Sequence, residues 1–176
     1  FPKLRSLCLM ATPSSTELLR IESRRLFREA TNQCGSAHAA THFWKQHYSS
    51  GANTTAEAYT QVVWKPWADW LLKGWRIQRS EVAKRYQAVT GGVPFLNIRG
   101  GNDFVTERCV EAWRGVSDAF VASCSSWSEV EASKDWYSEK VLSGRGHNVH
   151  LEDPDGCASC IHDWLNTVAQ SADSGP

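Results

Sequence analysis

Three short strand patterns, each followed by a helical pattern, divide the chain. Residues 3–11 and 93–98 are compact apolar runs bounded by proline or glycine, as buried parallel strands are, and residues 138–144 give a shorter strand pattern. Helical periodicity is clearest over residues 106–122 and 154–169. The order strand, helices, strand, helix, strand, helix predicts the α/β class, with a parallel sheet of about three strands.

The first two predicted strands are separated by far more chain than an ordinary connection needs. Ser14 and Glu17 have the spacing of a capping box that opens a helix, and Gly35 is expected to end it. A second helix is predicted from Ser36 to about Tyr48. We therefore interpret the long connection as a helical insertion. The predicted division is a core of residues 1–13 and 91–176 and a cap or lid of residues 14–90.

Composition limits the classes of partner. The 176 residues suit one globular domain, with 41% hydrophobic and 22% charged residues. Lys and Arg together number 19, as do Asp and Glu, which argues against nucleic acid as the main partner. There is no signal-peptide pattern and no apolar run long enough to span a bilayer. The chain begins at Phe1 rather than at methionine, so we expect it to be processed, truncated or incompletely recorded.

Cysteine and histidine patterns give little support for a metal or cofactor. Six cysteines are too sparse for a disulfide scaffold, which favours an intracellular, possibly organellar, compartment. Cys157 and Cys160 form one CxxC on a predicted helix, and we interpret them as plain thiols. His38 and His42 have the i,i+4 spacing of a metal pair, but the accompanying glutamate of a zincin is missing. No metal site and no cofactor are predicted.

Asp103 and His147 carry the clearest chemistry. Each follows the end of a predicted strand, and the carboxyl ends of parallel strands are where ligands bind in open α/β sheets. A carboxylate that accepts a hydrogen bond from one imidazole nitrogen orients the ring and leaves the other nitrogen to act as a base. A histidine or an aspartate in a glycine-rich turn is often only structural, so the pairing of the two is what favours a functional interpretation.

The sequence resembles the C-terminal half of the α/β-hydrolase superfamily. "VPFLNIRGGNDFVT" and "GRGHNVHLEDP", followed by the apolar helix "CIHDWL", resemble the family's acid strand and histidine loop. "FPKLRSLCLMATP" is similar to the strand that follows the nucleophile helix. The likeness spans the whole chain but is specific over residues 1–13 and 91–165. "GHNVHLEDP" and "RR…G…FWKQHY" are most similar to a branch that eliminates pyruvate to form succinyl-hydroxycyclohexadiene carboxylate in quinone synthesis.

This resemblance implies roles for particular residues. Asp103 would be the catalytic acid, His147 the base and His150 a supporting neighbour. Glu152 is expected to cap the last helix or face solvent, while Asp153 and Pro154 start that helix. Three tryptophans of the cap, Trp67, Trp70 and Trp75, are expected to line a pocket for a small apolar or acyl substrate.

The sequence departs from the family at the nucleophile. No G-x-S-x-G elbow is present, although the family order is nucleophile, acid, histidine. We therefore expect the nucleophile on an N-terminal segment or a companion chain, which would also complete the sheet. The expected function is ester or thioester hydrolysis, or a related elimination.

Two other interpretations stay open from the sequence. A non-catalytic α/β-hydrolase-like subunit could act as an interaction module in a larger assembly, which the missing nucleophile and the nine tryptophans would suit. An unrelated helical binding protein is the other alternative. It predicts no parallel pairing between residues 3–11 and 93–98.

Overall fold

A computed structural model describes residues 6–14, 16–47, 93–123 and 137–173 of the chain. Within these ranges it contains three strands and five helices. In chain order they are β1 (Leu7–Met10), α1 (Thr16–Cys34), α2 (Ser36–His47), β2 (Phe95–Gly100), α3 (Glu107–Ser123), β3 (Tyr137–Leu142), α4 (Val149–Glu152) and α5 (Pro154–Asp173).

The three strands form a parallel sheet in the order β1, β2, β3. Leu7 lies opposite Phe95, and Phe95 lies opposite Tyr137. The predicted α/β class and the three parallel strands are confirmed. The alternative of an unrelated helical protein is wrong, because it predicts no pairing between the first two strands. The bounds of β2 and β3 differ from the predicted ones by one or two residues, since apolar pattern locates a strand better than its ends.

Apolar side chains cover both faces of the sheet. Phe95 of β2 packs on one face against α1, α2 and α3, and Leu96 and Ile98 pack on the other against α4 and α5, because successive strand residues point to opposite faces. The first cluster is Leu26, Phe95, Phe104, Val105, Cys109, Val110 and Trp113. The second is Leu96, Ile98, Val149, Cys157 and Trp164. Burial on both faces explains the apolar Phe95, Leu96 and Ile98 of β2, whose polar Asn97 and Arg99 are buried as well.

The turn between α1 and α2 follows the sequence prediction, whereas the start of α1 does not. Gly35 has φ +77°, and its N–H donates to the carbonyl of Thr31 at 2.8 Å, which is a glycine-terminated helix end. Ser14 was predicted as the cap that opens α1. Instead α1 begins at Thr16, and the buried Ser14 donates from both its N–H and its hydroxyl to the carbonyl of Cys109. This tertiary contact takes the place of the local capping pattern.

Glu22 fastens α1 to the start of α3. Thr106 directly precedes α3 as predicted, but its hydroxyl donates to Glu22 at 3.2 Å. Arg108 and Arg25 pair with the same carboxylate at 3.3 and 3.0 Å. Burial alone would raise the pKa of Glu22, but the hydrogen bonds from Arg25 and Thr106 and the charges of Arg25 and Arg108 lower it overall.

A second ion-pair network fastens β3 to its neighbours. Arg99 of β2 donates to Glu139 of β3 at 2.7 Å, and both side chains are largely buried. Arg114 of α3 pairs with the other oxygen of Glu139 and with Glu107. These hydrogen bonds raise the pKa of Arg114 above its ordinary value. The network holds β3, and therefore the loop that follows it, in register with β2.

Several predicted features lie outside the described residues. The predicted pocket residues Trp67, Trp70 and Trp75 are among them, as is most of the predicted cap. The described part of the cap, α1 and α2, packs onto the core through Leu26, Phe43 and other residues of the first cluster. Among the helices that are described, none is long and apolar enough to cross a membrane.

Candidate active site

The ends of β2 and β3 lead into two loops that are hydrogen-bonded to each other. The acid loop, defined here as Gly101–Asp103, follows β2. The histidine loop, Ser143–Asn148, follows β3. The N–H of Gly101 donates to Leu142 O and that of Asn102 to Arg145 O, both at 2.8 Å. Parallel pairing of β2 with β3 brings both loops to one sheet edge, as the sequence predicted.

The carboxylate of Asp103 is fully buried. Its side chain is 0% exposed, and Oδ1 accepts a hydrogen bond from the N–H of Val105 at 2.8 Å. The same oxygen lies 3.0 Å from Nδ1 of His147. A carboxylate only accepts hydrogen bonds, so Nδ1 of His147 is the donor and Nε2 is the nitrogen that can take up a proton.

His147 is oriented by contacts on several sides. Its ring lies 4.4 Å from the ring of Phe104, measured between centroids, and its backbone N–H donates to the carbonyl of His47 at 2.9 Å. The side chain is 24% exposed, which leaves it accessible. The arrangement is therefore an aspartate-oriented imidazole with access from outside, which is the geometry of a general base.

The backbone of the two loops approaches closely at Gly100. A Cβ atom at this position would overlap the carbonyl oxygens of Arg145 and Gly146. Gly144 has φ +71°, a left-handed conformation that glycine adopts without strain. These two positions explain physically why glycine stands at the end of β2 and in the histidine loop, and they allow His147 to reach Asp103.

Glu152 departs from the sequence prediction. It was expected to cap the last helix or face solvent. Instead its carboxylate is buried, and Oε2 accepts a hydrogen bond from the N–H of Gly146 at 2.8 Å. The sequence pattern did not predict the one-turn helix α4. This helix brings the carboxylate of Glu152 within hydrogen-bonding distance of Gly146 in the histidine loop. No local sequence pattern indicates this contact, because it depends on the one-turn helix α4.

The start of the last helix is as predicted. α5 begins at Pro154, and Asp153 Oδ1 accepts a hydrogen bond from the N–H of Gly156 at 2.9 Å, which is an N-cap contact. His150 lies on the exposed side of α4. Partial desolvation, and then the charge of His147, lower the pKa of His150. The lowered pKa favours the neutral form of His150 beside His147.

The cysteines of this region are packed thiols. Burial, followed by the charges of Asp153, Cys160 and Cys8, raises the pKa of Cys157 to about 11. Cys8 is half-buried, and its pKa is also raised, first by burial and then by the charge of Cys160. Neither environment stabilises a thiolate, so neither residue resembles an activated nucleophile.

The histidines of α2 have separate surroundings. His38 is exposed, and Nε2 of His42 lies 2.9 Å from Oε1 of Gln33 in α1. Over residues 6–14, 16–47, 93–123 and 137–173, no three metal-ligating side chains come together. His47 was not selected from the sequence as a site residue. It ends α2 against both the acid loop and the histidine loop, and no local pattern distinguishes it from its neighbours.

Solved structures of other proteins support the fold of this chain. No protein-family model matches the chain, and neither does any curated protein. The crystal structure of VinJ superposes with a TM-score of 0.64 at 17% identity, over 94% of this chain and 58% of VinJ. A proline iminopeptidase of Mycobacterium smegmatis gives a TM-score of 0.61 at 17% identity, over 96% of this chain and 59% of the peptidase.

Both neighbours are α/β-hydrolase-fold proteins. The chain spans less than three fifths of the length of each. Three parallel strands with helices on both faces, and this likeness over nearly all of the chain, agree with the fold that the sequence motifs indicated. The chain therefore has a partial α/β-hydrolase fold, with three parallel strands among the described residues.

Proposed function

We propose that the chain is the cap and C-terminal half of an α/β-hydrolase-fold enzyme, in which Asp103 is the acid and His147 the base of a Ser-His-Asp type of site. The observation that carries the proposal is the 3.0 Å contact between Asp103 Oδ1 and His147 Nδ1 at the carboxyl edge of the sheet. The division into a core and a cap of residues 14–90 belongs to this proposal.

The nucleophile would come from an N-terminal segment or a companion chain. The sequence has no G-x-S-x-G elbow, and each neighbour has a further two fifths of its length with no counterpart here. His147 Nε2 would take the proton of the incoming hydroxyl, and the buried carboxylate of Asp103 would stabilise the imidazolium that forms. The imidazolium would then return the proton to the leaving group.

The proposed reaction is hydrolysis of an ester, thioester or amide with a small apolar or acyl group. Trp67, Trp70 and Trp75 are proposed to line the pocket for that group. The sequence also resembles a branch of the superfamily in quinone synthesis. By that resemblance, the same residues would catalyse an elimination that starts with proton abstraction. One structural neighbour is named as a proline iminopeptidase, so aminoacyl amides belong in the substrate panel.

The test measures substrate turnover by the intact protein together with any chain that copurifies with it. The substrate panel contains p-nitrophenyl esters, acyl thioesters and aminoacyl amides. His147→Ala should lower kcat by at least about 10³-fold. His162→Ala, on the exposed face of α5, is the matched control and should leave kcat unchanged. Equal rates for His147→Ala and the parent protein would overturn the proposal.

A non-catalytic role is the second candidate, and the absence of a G-x-S-x-G elbow from all 176 residues favours it. In that case the chain would serve as an interaction module in a larger assembly. His147→Ala would then leave assembly unchanged, and no member of the substrate panel would be turned over by any preparation of the intact complex.

A further inference from the structure

His47 contacts both loops that carry the proposed acid and base. Its Nδ1 lies 2.7 Å from the carbonyl oxygen of Asn102, the residue before Asp103. Its own carbonyl oxygen accepts the N–H of His147 at 2.9 Å. Residue 47 is only 8% exposed. One residue at the end of α2 is therefore hydrogen-bonded to the acid loop through its side chain and to the histidine loop through its backbone.

The tautomer of His47 follows from its partner. The carbonyl of Asn102 can only accept a hydrogen bond, so the proton of the neutral ring is on Nδ1. The N–H of Asn102 donates in turn to Arg145 O at 2.8 Å. Hydrogen bonds join His47 to Asn102 and Asn102 to Arg145. The chain then leads from Arg145 to His147, whose N–H donates to the carbonyl of His47. This closed set of one side-chain and two backbone hydrogen bonds fixes the separation of the two loops.

Aromatic packing holds the ring of His47 in place. Its centroid lies 5.1 Å from that of Phe43, which is 6.0 Å from Phe104. Phe104 contacts the ring of His147 at 4.4 Å. The last turn of α2 therefore contacts the acid–base pair through both hydrogen bonds and ring packing.

We propose that His47 is a positioning residue, which sets the distance between Asp103 and His147 through its Nδ1–H bond to Asn102. This inference rests on the proposed function for its effect on rate, but its effect on the hydrogen bond between Asp103 and His147 is independent of catalysis. A misplacement of about 1 Å in an acid–base pair lowers rates by up to about 10²-fold.

The experiment compares three substitutions in the intact protein. His47→Asn places an amide N–H close to the position of Nδ1 and should preserve the bond to Asn102. His47→Ala removes it, and His47→Gln places its amide near the position of Nε2, where Asn102 is out of reach. The backbone bond from His147 to residue 47 is present in all three. His38→Ala, on the same helix but exposed, is the control.

The first readout is the proton NMR resonance of His147 Nδ1–H, which the Asp103 carboxylate moves far downfield. It is assigned by its loss in His147→Ala. The resonance should persist in His47→Asn and His38→Ala, and should shift upfield or broaden beyond detection in His47→Ala and His47→Gln. An unchanged resonance in all four variants would overturn the proposal, whether or not the protein has any activity.

The second readout is kcat per active site, with sites counted by fluorophosphonate titration. We expect about a 10- to 100-fold decrease in His47→Ala and His47→Gln, little change in KM, and near-parent kcat in His47→Asn. If His47 only stabilises the fold, the titratable fraction falls but kcat per site does not, and the proposal is wrong. If no variant or parent turns over substrate while the resonances behave as stated, the proposed function fails and the positioning role stands.

Discussion

The carboxylate of Asp103 reaches Nδ1 of His147 at 3.0 Å, across 44 residues of sequence. The side chain of Asp103 is fully buried, and the N–H of Val105 holds the same oxygen at 2.8 Å. Because contacts within the chain fix the carboxylate, the proposed acid–base pair would need no rearrangement to act.

Asp103→Asn should disable the proposed base, His147, without disturbing the fold. The amide is close in size to the carboxylate, but its N–H₂ can donate to Nδ1 and so favour the wrong tautomer of His147. In serine-protease triads the equivalent change lowers kcat by about 10⁴-fold, and a loss of that order is expected here. Steady-state kinetics and thermal unfolding of the intact protein check it. A kcat within tenfold of the parent would contradict the assignment.

Gly100→Ala should force the two loops apart. The added Cβ would overlap backbone carbonyls of the histidine loop, which cannot move away as the end of a side chain can. We expect a loss of about 1–3 kcal/mol in the free energy of unfolding, measured by denaturant titration. Gly115→Ala in α3 is the control, because a Cβ there meets nothing within 4 Å. It should stabilise the protein by about 0.5–1 kcal/mol.

Glu152→Ala should destabilise the histidine loop. The substitution leaves the buried N–H of Gly146 without its carboxylate acceptor, at a cost of about 1–3 kcal/mol. Glu152→Gln retains an acceptor oxygen at the same reach and should lose less. Chemical denaturation of both variants tests the order. Equal stabilities of the two variants and the parent would show that the contact does not hold the loop.

Glu22 should make the contact between α1 and α3 sensitive to acid. Its pKa in the folded protein is below the ordinary value of 4.5, so its stabilising contribution is present above that pH and is lost as the pH falls below it. Glu22→Gln should therefore flatten the decrease in unfolding free energy below about pH 4.5, measured by denaturant titration at several pH values. Glu29→Gln, which removes an exposed partner of Arg25, is the control and should leave the decrease unchanged.

Much of the fold could be predicted from the sequence because its signals are local. Apolar runs located the strands, and Gly35 and Asp153 marked a helix end and a helix start. Asp103 and His147 could be paired because each follows a strand of a parallel sheet. The parts that sequence reasoning missed depend on tertiary contacts. Ser14 bonds to α3 instead of capping α1, and Glu152 turns inward through a one-turn helix that has no pattern of its own.

The contacts of His47 were even harder to predict from the sequence. Its position at the end of an amphipathic helix suggested nothing beyond cap packing. Its contacts with Asn102 and His147 arise because α2 ends at the edge of the sheet where both loops lie. The residues that hold a site together are therefore harder to predict than those that carry its chemistry, since their partners lie far away in sequence.

The most direct test of the central claim is fluorophosphonate labelling of the intact protein and any copurifying chain, followed by peptide mapping. We expect one labelled serine in a G-x-S-x-G segment outside these 176 residues, with labelling strongly reduced in His147→Ala and unaffected in His162→Ala. Absence of labelling in the folded parent protein, or labelling that is equal in His147→Ala, would contradict the role of Asp103 and His147 as the acid and base of a serine nucleophile.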